Sequence, residues 1–588
     1  MSKENAYFPF MNNRELAKIF SNMAIYLEMD EVAFKPQAYE KAAITLDALS
    51  EDVAAIYKKE GMKGLEELPG VGKGIAEKIV EYLKTKRIKE YEIMKKKMPV
   101  NLEELVGVEG IGPKKVKILY KKLGIKNLKD LQKAAQEHKI AHLRVFGEKT
   151  EQNILEGIEF VQRSHGRFLL GEIMPAIKDT YERLKKLPEV EKIDYCGSIR
   201  RMKETIGDAD FLVISKKPAK VMNAFVKLPG VAKVWGKGTT KASVRMKDGF
   251  DMDIRVVAPS QYGAALQYFT GSKEHNIALR KIAIDKGYKL SEYGLFKGAK
   301  MIAGKTEEEI YKKLGLELIP PELRENTGEI EAALRQAQGR LSGLPELIEL
   351  KDVKGDLHVH SDWNGGDNSI EELAEAAIGE GYEYVGIADH TKFLRIERGL
   401  DEKQLGKRNK EIDKLNKKFS RKKFRILKGC EANIMADGSL DIKDESLAKL
   451  DFVIAGAHSQ FKMPKDKMTR RIIKAMSNPH VDIISHPTGR ILKHRDEYQI
   501  DFEAILKAAK KTKTILEINA NPHRFDLNDI NIKKAKETGV KMVINTDAHN
   551  KGHFHLMEFG VAQARRGWAE KKDIINCWGV EKMLRTLK

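Results

Sequence analysis

The sequence predicts a multidomain chain with an all-α N-terminal part, an α+β middle part and a C-terminal distorted (β/α)7 barrel. Three observations support this prediction. The length of 588 residues exceeds what a single hydrophobic core fills. The spacing of apolar residues changes from helical to strand-like at Ile193. Beyond residue 350, apolar strands alternate with helical stretches, which is typical of a parallel α/β fold.

The composition indicates a polyanionic partner. Lys and Arg number 106 against 86 Asp and Glu, which gives a formal net charge of +20. Basic side chains that neutralise phosphates release condensed counterions, so this charge suits nucleic acid. A Lys/Glu-rich solvated surface, as in heat-adapted proteins, is the alternative explanation.

The cysteines and the apolar runs indicate a cytoplasmic protein. Cys196, Cys430 and Cys577 have no CxxC spacing, which argues against a disulfide framework or a cysteine-based zinc site. The N-terminus lacks a signal-peptide pattern, and no apolar run is long enough to span a bilayer. We therefore expect no membrane partner, and we expect a monomer.

Two glycine turns interrupt the N-terminal helices. Gly70 and Gly72 lie in "LPGVGKGIAEKIVEYL", and Gly110 and Gly112 lie in "VGVEGIGPKKVKILYKKLG". Glycine permits a tight turn, and the amide N–H groups that start the following helix favour a phosphate oxygen. An ordinary αα-hairpin is the structural alternative. Two copies in a basic chain favour binding of the DNA backbone.

The middle part carries aspartates on predicted strands. Asp208 and Asp210 lie two apart in "DADFLVIS" and share one face of a sheet, and Asp253 lies in "FDMDIRVVA". Carboxylates so placed repel one another unless a divalent cation binds between them. The preceding "GSIRR", which begins at Gly197, offers a turn, a hydroxyl and guanidinium groups to a phosphate tail. A DxD pair alone is often structural, but the combination favours two-metal nucleotidyl transfer.

The first half resembles the family X DNA polymerases, to which DNA polymerase beta belongs. The resemblance runs from about Asn12 to Pro321 and includes "YFTGSKEHNIALR", which begins at Tyr268. It implies a nucleotidyltransferase palm and thumb that use Mg²⁺ or Mn²⁺, dNTPs, and gapped or primed double-stranded DNA. The implied metal ligands are Asp208, Asp210 and Asp253; the implied nucleotide contacts are Gly197, Ser198, Arg201, Tyr268, Phe269, Gly271 and Asn276; Arg280 would touch the template.

The resemblance also implies a lyase role for one lysine. In this family a lysine of the first hairpin forms a Schiff base with an abasic-site sugar, and motif alignment places it at Lys78. A nucleophilic lysine must be partly deprotonated, and we expect crowding by Lys41, Lys73 and Lys84 to promote this. A phosphate-binding or solvated lysine is the alternative.

In the second half, metal-seeking side chains follow the predicted strands. The strands are "KGDLHVH", "YVGIADH", "RILKGCE", "DFVIAGAH", "VDIISH", "ILEINAN" and "KMVINTDAH". The carboxyl ends of barrel strands form the active-site face, so these side chains are expected to meet. The eight candidate ligands are His358, His360, His390, Glu431, His458, His486, Asp547 and His549. Eight N/O ligands without a thiolate predict two or three Zn²⁺, Mn²⁺ or Fe ions.

This half resembles the PHP (polymerase and histidinol phosphatase) domain over roughly Val353–Lys588. The resemblance implies a trinuclear metal site. One departure concerns the aspartate of an "SDG" triplet in relatives that carry this polymerase, because here the triplet is "NGG", centred on Gly365. Either Asp362 or Asp367 supplies that ligand from a shifted loop, or one metal position is weakened.

The whole pattern resembles a prokaryotic family X DNA polymerase with a C-terminal PHP domain. The resemblance implies templated gap filling in DNA repair and a 3′→5′ exonuclease or 3′-end phosphoesterase. Two alternatives stay open: a PHP phosphatase or nuclease whose degenerate polymerase half only binds DNA, and a template-independent terminal transferase. The carboxylate triad argues against the first, and the paired hairpins with Arg280 argue against the second.

The predicted domain organisation has six segments. They are a lyase-like helical domain (1–95), a DNA-binding helical domain (96–160), the palm (161–260), a nucleotide-selection subdomain (261–325), a linker (326–350) and the PHP domain (351–588). The linker is predicted from a double proline, polar residues and weak periodicity.

Overall fold

The structure, a computed structural model, describes residues 11–588 apart from 49–51, 69, 107, 109, 110, 144, 149, 153, 156, 157, 159–166, 341, 342, 395 and 396. Gly110, a predicted DNA-backbone residue, lies outside the described residues. The chain forms two compact units: residues 1–165 with 493–496 and 550–553, and the remainder. Within the described ranges, no helix is long and apolar enough to cross a bilayer.

The first unit is helical, as the sequence predicts. Its amphipathic helices bury their apolar faces in two cores, one that includes Phe20 and Leu46 and one that includes Leu105 and Leu131. The described helices are Met11–Met29, Lys35–Ala48, Val53–Glu66, Lys73–Thr85, Lys89–Lys97, Leu102–Val106, Pro113–Leu123 and Leu128–Gln136.

The second unit begins with the predicted mixed sheet. Its five strands have the order β2-β4-β7-β6-β5, and only β4 and β7 are parallel neighbours. The strands of this region are β1 (Phe168–Leu169), β2 (Lys192–Tyr195), β3 (Thr205–Ile206), β4 (Asp208–Ile214), β5 (Val231–Lys237), β6 (Lys241–Met246) and β7 (Asp251–Val257). Its helices are Leu170–Lys185, Gly197–Arg200 and Pro218–Val226. Alternation along β4 and β7 buries Ala209, Phe211, Met252 and Ile254 and leaves the intervening aspartates on the other face.

A smaller antiparallel sheet follows, and the predicted linker proves to be partly structured. Strands β8 (Lys289–Ser291), β9 (Gly294–Lys297) and β10 (Lys300–Ala303) accompany helices Tyr262–Thr270, Lys273–Asp285 and Glu307–Lys313. Segment 326–350 contains helix Glu329–Ala337, so the linker prediction is wrong there. Ile330 and Ala333 of this helix, with Leu347, pack in the same core as Leu279. The periodicity of apolar residues does not reveal this helix, because its apolar face is short and the surrounding segment is polar.

The C-terminal part is parallel α/β, and each of the seven predicted strand segments contains a strand. The third segment is divided at Gly429 and Cys430 into β13 and β14. The strands are β11 (Gly355–Val359), β12 (Tyr384–Ile387), β13 (Arg425–Lys428), β14 (Glu431–Asn433), β15 (Ile454–Gly456), β16 (Ile483–Ile484), β17 (Ile515–Asn519) and β18 (Met542–Asn545). They form two parallel sheets, β11-β12-β13 and β14-β15-β16-β17-β18. The helices between and after them are Ile370–Gly379, Glu402–Phe419, Asp444–Leu447, Lys465–Met476, Phe502–Thr512, Asp529–Thr538, Met557–Arg566 and Val580–Leu584.

The mixed sheet and the C-terminal part share one hydrophobic core. Phe525, Leu556 and Phe559 pack with the apolar residues of the mixed-sheet region. Arg490 adds an ion pair to Glu204 at 2.6 Å. The two parts are therefore packed as one body, which the predicted domain boundaries do not anticipate.

Candidate active sites

The parallel pairing of β4 with β7 brings the predicted catalytic aspartates onto neighbouring strands. Asp210 lies opposite Asp253, and Asp208 lies opposite Asp251. The carboxylate of Asp251 accepts hydrogen bonds from Arg245 Nε at 2.5 Å and Nη2 at 2.9 Å. Asp251 is thus neutralised by its own arginine, and the predicted triad of Asp208, Asp210 and Asp253 remains as the acidic cluster.

Burial and like charge make this acidic cluster electrostatically strained. Burial, followed by the charges of Asp208 and Asp253, raises the pKa of Asp210 to about 7. Burial and Asp253 also raise the pKa of Asp208. Among the described residues, the three carboxylates do not gather within 4.8 Å as a group. Oxygen ligands that repel one another suit a hard divalent cation, so the residues fit Mg²⁺ or Mn²⁺.

Two glycines allow the predicted phosphate-binding turn to approach the triad. Gly197 has a φ of +64°, and a Cβ there would lie 2.9 Å from Asp210 Oδ2. Ser198 follows it in the four-residue helix. Gly271 has a φ of +71°, and a Cβ there would lie 3.0 Å from Arg201 Nη1. The structure therefore brings Gly197 against Asp210 and Gly271 against Arg201.

Arg201, a predicted triphosphate contact, is held by protein groups. Its Nε donates to Glu325 Oε1 at 3.0 Å, and its Nη1 donates to the carbonyl oxygen of Thr270. The carbonyl oxygen of Arg201 in turn accepts from Arg566 Nη1 at 2.8 Å. Two of the three guanidinium nitrogens of Arg201 are thus already paired within the protein.

Sequence reasoning missed the ion pairs behind this turn. Arg200 and Arg324 both donate to Glu307, at 2.6 and 2.5 Å, and Arg324 is fully buried. Burial raises the pKa of Glu307, but the two guanidinium groups outweigh it and lower this pKa to about 2. Arg200 is thus a positioning residue. A single arginine in "PELRENTG" carries no sequence signal for such a role.

The predicted sugar- and base-sensing residues lie side by side. The rings of Tyr268 and Phe269 meet edge to face, with centroids 5.2 Å apart. Asn276 Nδ2 donates to the Tyr268 carbonyl oxygen at 2.7 Å, and its Oδ1 accepts from Gln267 Nε2 at 2.6 Å. Arg280 Nε donates to the Asn276 carbonyl oxygen at 3.2 Å.

In the first unit, the helices that follow the two glycine pairs start with matching local geometry. Gly72 and Gly112 are helix N-caps with φ of −79° and −88°, and neither makes a side-chain cap. A Cβ at either position would meet no atom within 4 Å. Val71 and Ile111 anchor the turns in their cores, and Gly70 has a φ of +76°. The helix starts are therefore open to a phosphate oxygen.

The environment of Lys78 differs from the expected crowding by cations. Its Nζ lies 2.9 Å from Glu90 Oε2. Burial lowers the pKa of Lys78, but Glu90 and Tyr39 outweigh burial, so the net shift is upward. The expectation that neighbouring lysines depress this pKa is wrong, because a carboxylate is its dominant partner.

In the C-terminal part, the predicted metal ligands converge around Glu431. Its carboxylate lies 3.3 Å from His358 Nε2, 2.8 Å from His390 Nδ1, 3.2 Å from His458 Nε2 and 3.0 Å from His486 Nε2. Asp547 Oδ1 lies 3.3 Å from His360 Nε2, and the His549 ring stacks on His360 with centroids 4.2 Å apart. All eight predicted ligands therefore belong to one cluster.

The unsatisfied ring nitrogens of this cluster fit a metal site. Among the described residues, the buried atoms without a hydrogen bond include His358 Nε2, both ring nitrogens of His360, His390 Nδ1 and His486 Nδ1. Leaving a buried polar atom unpaired costs roughly 1–3 kcal/mol. Three groups of ligand atoms each lie within 4.8 Å: His360, His390 and His549; His358, His360 and Glu431; and His390, Glu431 and His458. Cations at these groups would coordinate ring nitrogens of His358, His360 and His390, whereas His486 belongs to none of the three groups.

The electrostatics favour the ligating protonation states of Glu431, His360 and His486. At His358, burial lowers the pKa, but Glu517, Glu431 and Asp547 outweigh burial and raise it. Burial raises the pKa of Glu431, but the surrounding histidines outweigh it and hold this pKa well below its usual range. Burial and the adjacent His549 and His390 lower the pKa of His360 far below its usual value. Burial, with Arg524, lowers that of His486 to about 4. Charged carboxylates and neutral imidazoles are the forms that bind metal.

Glu517, which the sequence analysis did not identify, contacts two of the predicted ligand residues. Glu517 Oε1 lies 2.6 Å from His358 Nδ1, and its Oε2 accepts from the His486 amide at 2.8 Å. This bond fixes the tautomer of His358 so that Nε2 faces the cluster. The available signal was a glutamate within the apolar strand "ILEINAN".

Family comparisons match four segments of the chain. They are a helix-hairpin-helix domain (11–88), a SAM-like helix-hairpin-helix tandem (102–159), the DNA polymerase beta thumb (265–325) and the PHP domain (356–521). The DNA polymerase/3'-5' exonuclease PolX of Bacillus subtilis (strain 168) is 39% identical over 571 residues, 96% of this chain and 97% of that protein.

Two shorter matches concern phosphatases. A probable phosphatase of Thermoanaerobacter sp. (strain X514) is 43% identical over 134 residues, 21% of this chain and 52% of that protein. A probable phosphatase of Acetivibrio thermocellus is 31% identical over 214 residues, 33% of this chain and 78% of that protein.

The matched segments and the two ligand clusters define a family X, polymerase beta-like chain with a C-terminal PHP domain. Because the similarity to the Bacillus subtilis protein extends over nearly the whole of both chains, this chain belongs to the PolX family.

Proposed function

We propose that the chain is a DNA-templated DNA polymerase that fills short gaps during DNA repair, and that its PHP domain is a 3′→5′ exonuclease. The β4–β7 register that aligns the aspartates carries the polymerase proposal, in a chain similar throughout to a polymerase/exonuclease. We also propose that it acts on gapped or primed DNA, as a monomer, in the cytoplasm. The intact triad disfavours a degenerate polymerase half that only binds DNA.

In the polymerase site, Asp208, Asp210 and Asp253 would hold Mg²⁺ or Mn²⁺, which supplies charge neutralisation and acidifies the attacking hydroxyl. Gly197, Ser198 and Arg201 orient the triphosphate. Tyr268 and Phe269 line the sugar pocket and exclude a 2′-hydroxyl, Asn276 contacts the base, and Arg280 contacts the template. The amides that follow Gly72 and Gly112 bind the DNA backbone.

In the PHP site, the eight ligands would hold two or three Zn²⁺, Mn²⁺ or Fe ions, which acidify water and neutralise the scissile phosphate. Glu517 orients His358. Burial of the cluster limits bulk water and strengthens each of these interactions. The product is a deoxynucleotide released from the 3′ end.

We infer that the seven strand segments close a distorted (β/α)7 barrel. Isolated parallel bridges support this inference, since His390 pairs with Glu431 between the two sheets and Val359 pairs with Ala548 between the first and last strands. The ligands then lie at the carboxyl ends of the strands, as in other βα barrels.

Primer extension on a one-nucleotide gap, measured beside degradation of a 3′-labelled strand, tests the proposed function. Asp208→Ala should lose extension and keep degradation, and His358→Ala should show the reverse. Extension by Asp208→Ala within a few-fold of wild type would remove the polymerase assignment. It would favour a PHP nuclease with a DNA-binding polymerase half.

We further propose abasic-site and 5′-deoxyribose-phosphate lyase activity at Lys78. Borohydride trapping on a 5′-deoxyribose-phosphate end should fall sharply in Lys78→Ala. Glu90→Gln should raise trapping at neutral pH, because it removes a carboxylate that raises the pKa of Lys78. Undiminished trapping in Lys78→Ala would assign the nucleophile to another lysine or remove the lyase proposal.

A further inference from the structure

One buried arginine of the C-terminal part contacts the turn that carries Arg201. Arg566 is the last residue of helix Met557–Arg566, and its side chain is 2% exposed. Its Nη1 donates to the Arg201 carbonyl oxygen at 2.8 Å and to Glu325 Oε1 at 3.1 Å. Its Nη2 donates to the carboxylate of Asp529. Arg566 thus connects the C-terminal part of the chain to the backbone of Arg201 and to Glu325.

The same carboxylate oxygen also holds the Arg201 side chain. Glu325 Oε1 accepts from Arg201 Nε at 3.0 Å, and Lys203 Nζ lies 3.8 Å from it. Burial raises the pKa of Glu325, but Arg566, Arg201 and Lys203 outweigh burial and lower it. Glu325 is therefore a charged carboxylate that cations of the mixed-sheet region and of the C-terminal part share.

These contacts fix both the backbone and the guanidinium group of Arg201. The residue is the C-cap of helix Gly197–Arg200, so its carbonyl oxygen has no partner within that helix, and Arg566 supplies one. Glu325 accepts from Nε, and the Thr270 carbonyl oxygen accepts from Nη1. Among the described residues, Nη2 has no hydrogen-bond partner and is not fully buried. Nη2 is therefore the nitrogen that Arg201 offers to a ligand.

A neighbouring arginine makes similar contacts that do not reach Arg201. Arg565 Nε donates to Glu322 Oε1 at 2.8 Å, and its Nη1 donates to the Ile348 carbonyl oxygen at 2.9 Å. In the described part of the chain, Arg565 forms no hydrogen bond with Arg201 or Glu325. The two arginines follow one another on the same helix, so Arg565 provides a matched control for Arg566.

We propose that Arg566 is a positioning residue of the polymerase site, which holds Arg201 in the orientation that binds the triphosphate of the incoming nucleotide. The proposal rests on the polymerase function proposed above and on the triphosphate role of Arg201 within it. Arg566 itself does not touch the nucleotide. Nucleotide binding at one active site thus depends on a residue from the part of the chain that contains the other.

Single-turnover filling of a one-nucleotide gap by the full-length protein, measured over a range of dNTP concentrations, tests the proposal. Arg566→Ala should raise the apparent Kd for dNTP about tenfold, because two charge-assisted hydrogen bonds that fix Arg201 and Glu325 are lost. The maximal rate should change by about twofold or less, since the triphosphate is held before the chemical step. Arg565→Ala should keep the wild-type Kd. An unchanged Kd in Arg566→Ala would overturn the proposal, and so would an equal rise in Arg565→Ala.

A double variant shows whether Arg566 acts through Arg201. In an Arg201→Ala chain, Arg566→Ala should add little to the rise in Kd, because the group that it positions is already gone. Additive effects of the two substitutions would overturn the proposal. A wild-type Kd in Arg201→Ala would remove the triphosphate role of Arg201 from the proposed function, and this proposal with it. A raised Kd in Arg201→Ala beside an unchanged Kd in Arg566→Ala would overturn this proposal alone.

Arg566→Lys provides a milder change at the same buried position. Lysine keeps the charge but lacks the planar fork that reaches both acceptors, so its Kd should lie between those of the wild type and Arg566→Ala. Degradation of a 3′-labelled strand and near-ultraviolet circular dichroism show which variants are folded. If Arg566→Ala is not folded, a wild-type Kd in Arg566→Lys would overturn the proposal.

Discussion

The two ligand clusters of the second unit handle charge in opposite ways. The aspartate cluster is partly exposed and has one basic partner, Lys241, which lies 3.5 Å from Asp253, and burial with repulsion raises the pKa of Asp210 to about 7. The histidine cluster is largely buried, and its rings hold the pKa of Glu431 well below the usual range. We therefore expect the first cluster to bind its cation with the substrate and the second to retain its cations as part of the fold.

The largest expected effect separates the two clusters by function. Asp253→Ala should reduce nucleotide addition by about 10³-fold or more, because it removes a cation ligand that stabilises transition-state charge. Asp251→Asn is the matched control: it lies on the same strand and face, but Arg245 neutralises it. Single-turnover gap filling measures both variants. Extension by Asp253→Ala at the level of Asp251→Asn would contradict its role as a ligand.

The second comparison lies within the histidine cluster, where two glutamates should differ in the size of their effect. Glu431→Gln should abolish 3′ degradation and release metal, since four histidines surround its carboxylate. Glu517→Gln should lose about 10–100-fold, because it orients His358 without binding the cation. Degradation and metal content measured on the same samples check the order. Equal losses in the two variants would mean that Glu517 is itself a ligand.

Chelation should abolish the activities of the two clusters at different rates. Brief treatment with EDTA should stop gap filling at once, and Mg²⁺ should restore it, because oxygen ligands on an open sheet face exchange readily. Exonuclease activity should decline more slowly, since buried nitrogen ligands release their ions through fluctuations of the surrounding strands. Equal rates of loss for the two activities would contradict the proposed difference.

The smallest effect concerns stability. The folded pKa of Asp210 is about 7, above its ordinary value of 3.8. Its charge therefore destabilises the metal-free fold above that pH, and the penalty is lost as the pH falls from about 7 towards 4. Asp210→Asn should stabilise the metal-free protein at pH 8, on the order of 1 kcal/mol after solvent screening. Denaturant unfolding should show this advantage shrinking towards pH 5; a constant difference would contradict it.

Sequence patterns predicted the features that depend on local order. The strand segments that end in histidine or a carboxylate can be recognised from the sequence, because each is a short apolar run followed by polar residues. The aspartates on β4 and β7 follow from spacing on one face of a strand. The glycine turns follow from backbone freedom, and each strand, turn or pair of aspartates is recognised within its own short stretch of sequence.

The features that were missed depend on tertiary contact. Glu517 and Arg566 come from distant segments, and only the fold shows that one supports His358 and the other contacts Arg201. Helix Glu329–Ala337 has too narrow an apolar face to be seen in a polar segment. The pairing of Lys78 with Glu90 reversed the expected shift in its pKa, since a lysine-rich sequence does not reveal which acid lies nearest.

The packing of Phe525, Leu556 and Phe559 against the mixed-sheet region has a consequence for the history of the chain. Separation of the mixed-sheet region from the C-terminal part would expose an apolar surface on each of them. Such a fusion is difficult to reverse. A chain that lost one half would first need polar substitutions on the newly exposed apolar surface of the other half. Loss of either half would therefore destabilise the half that remains.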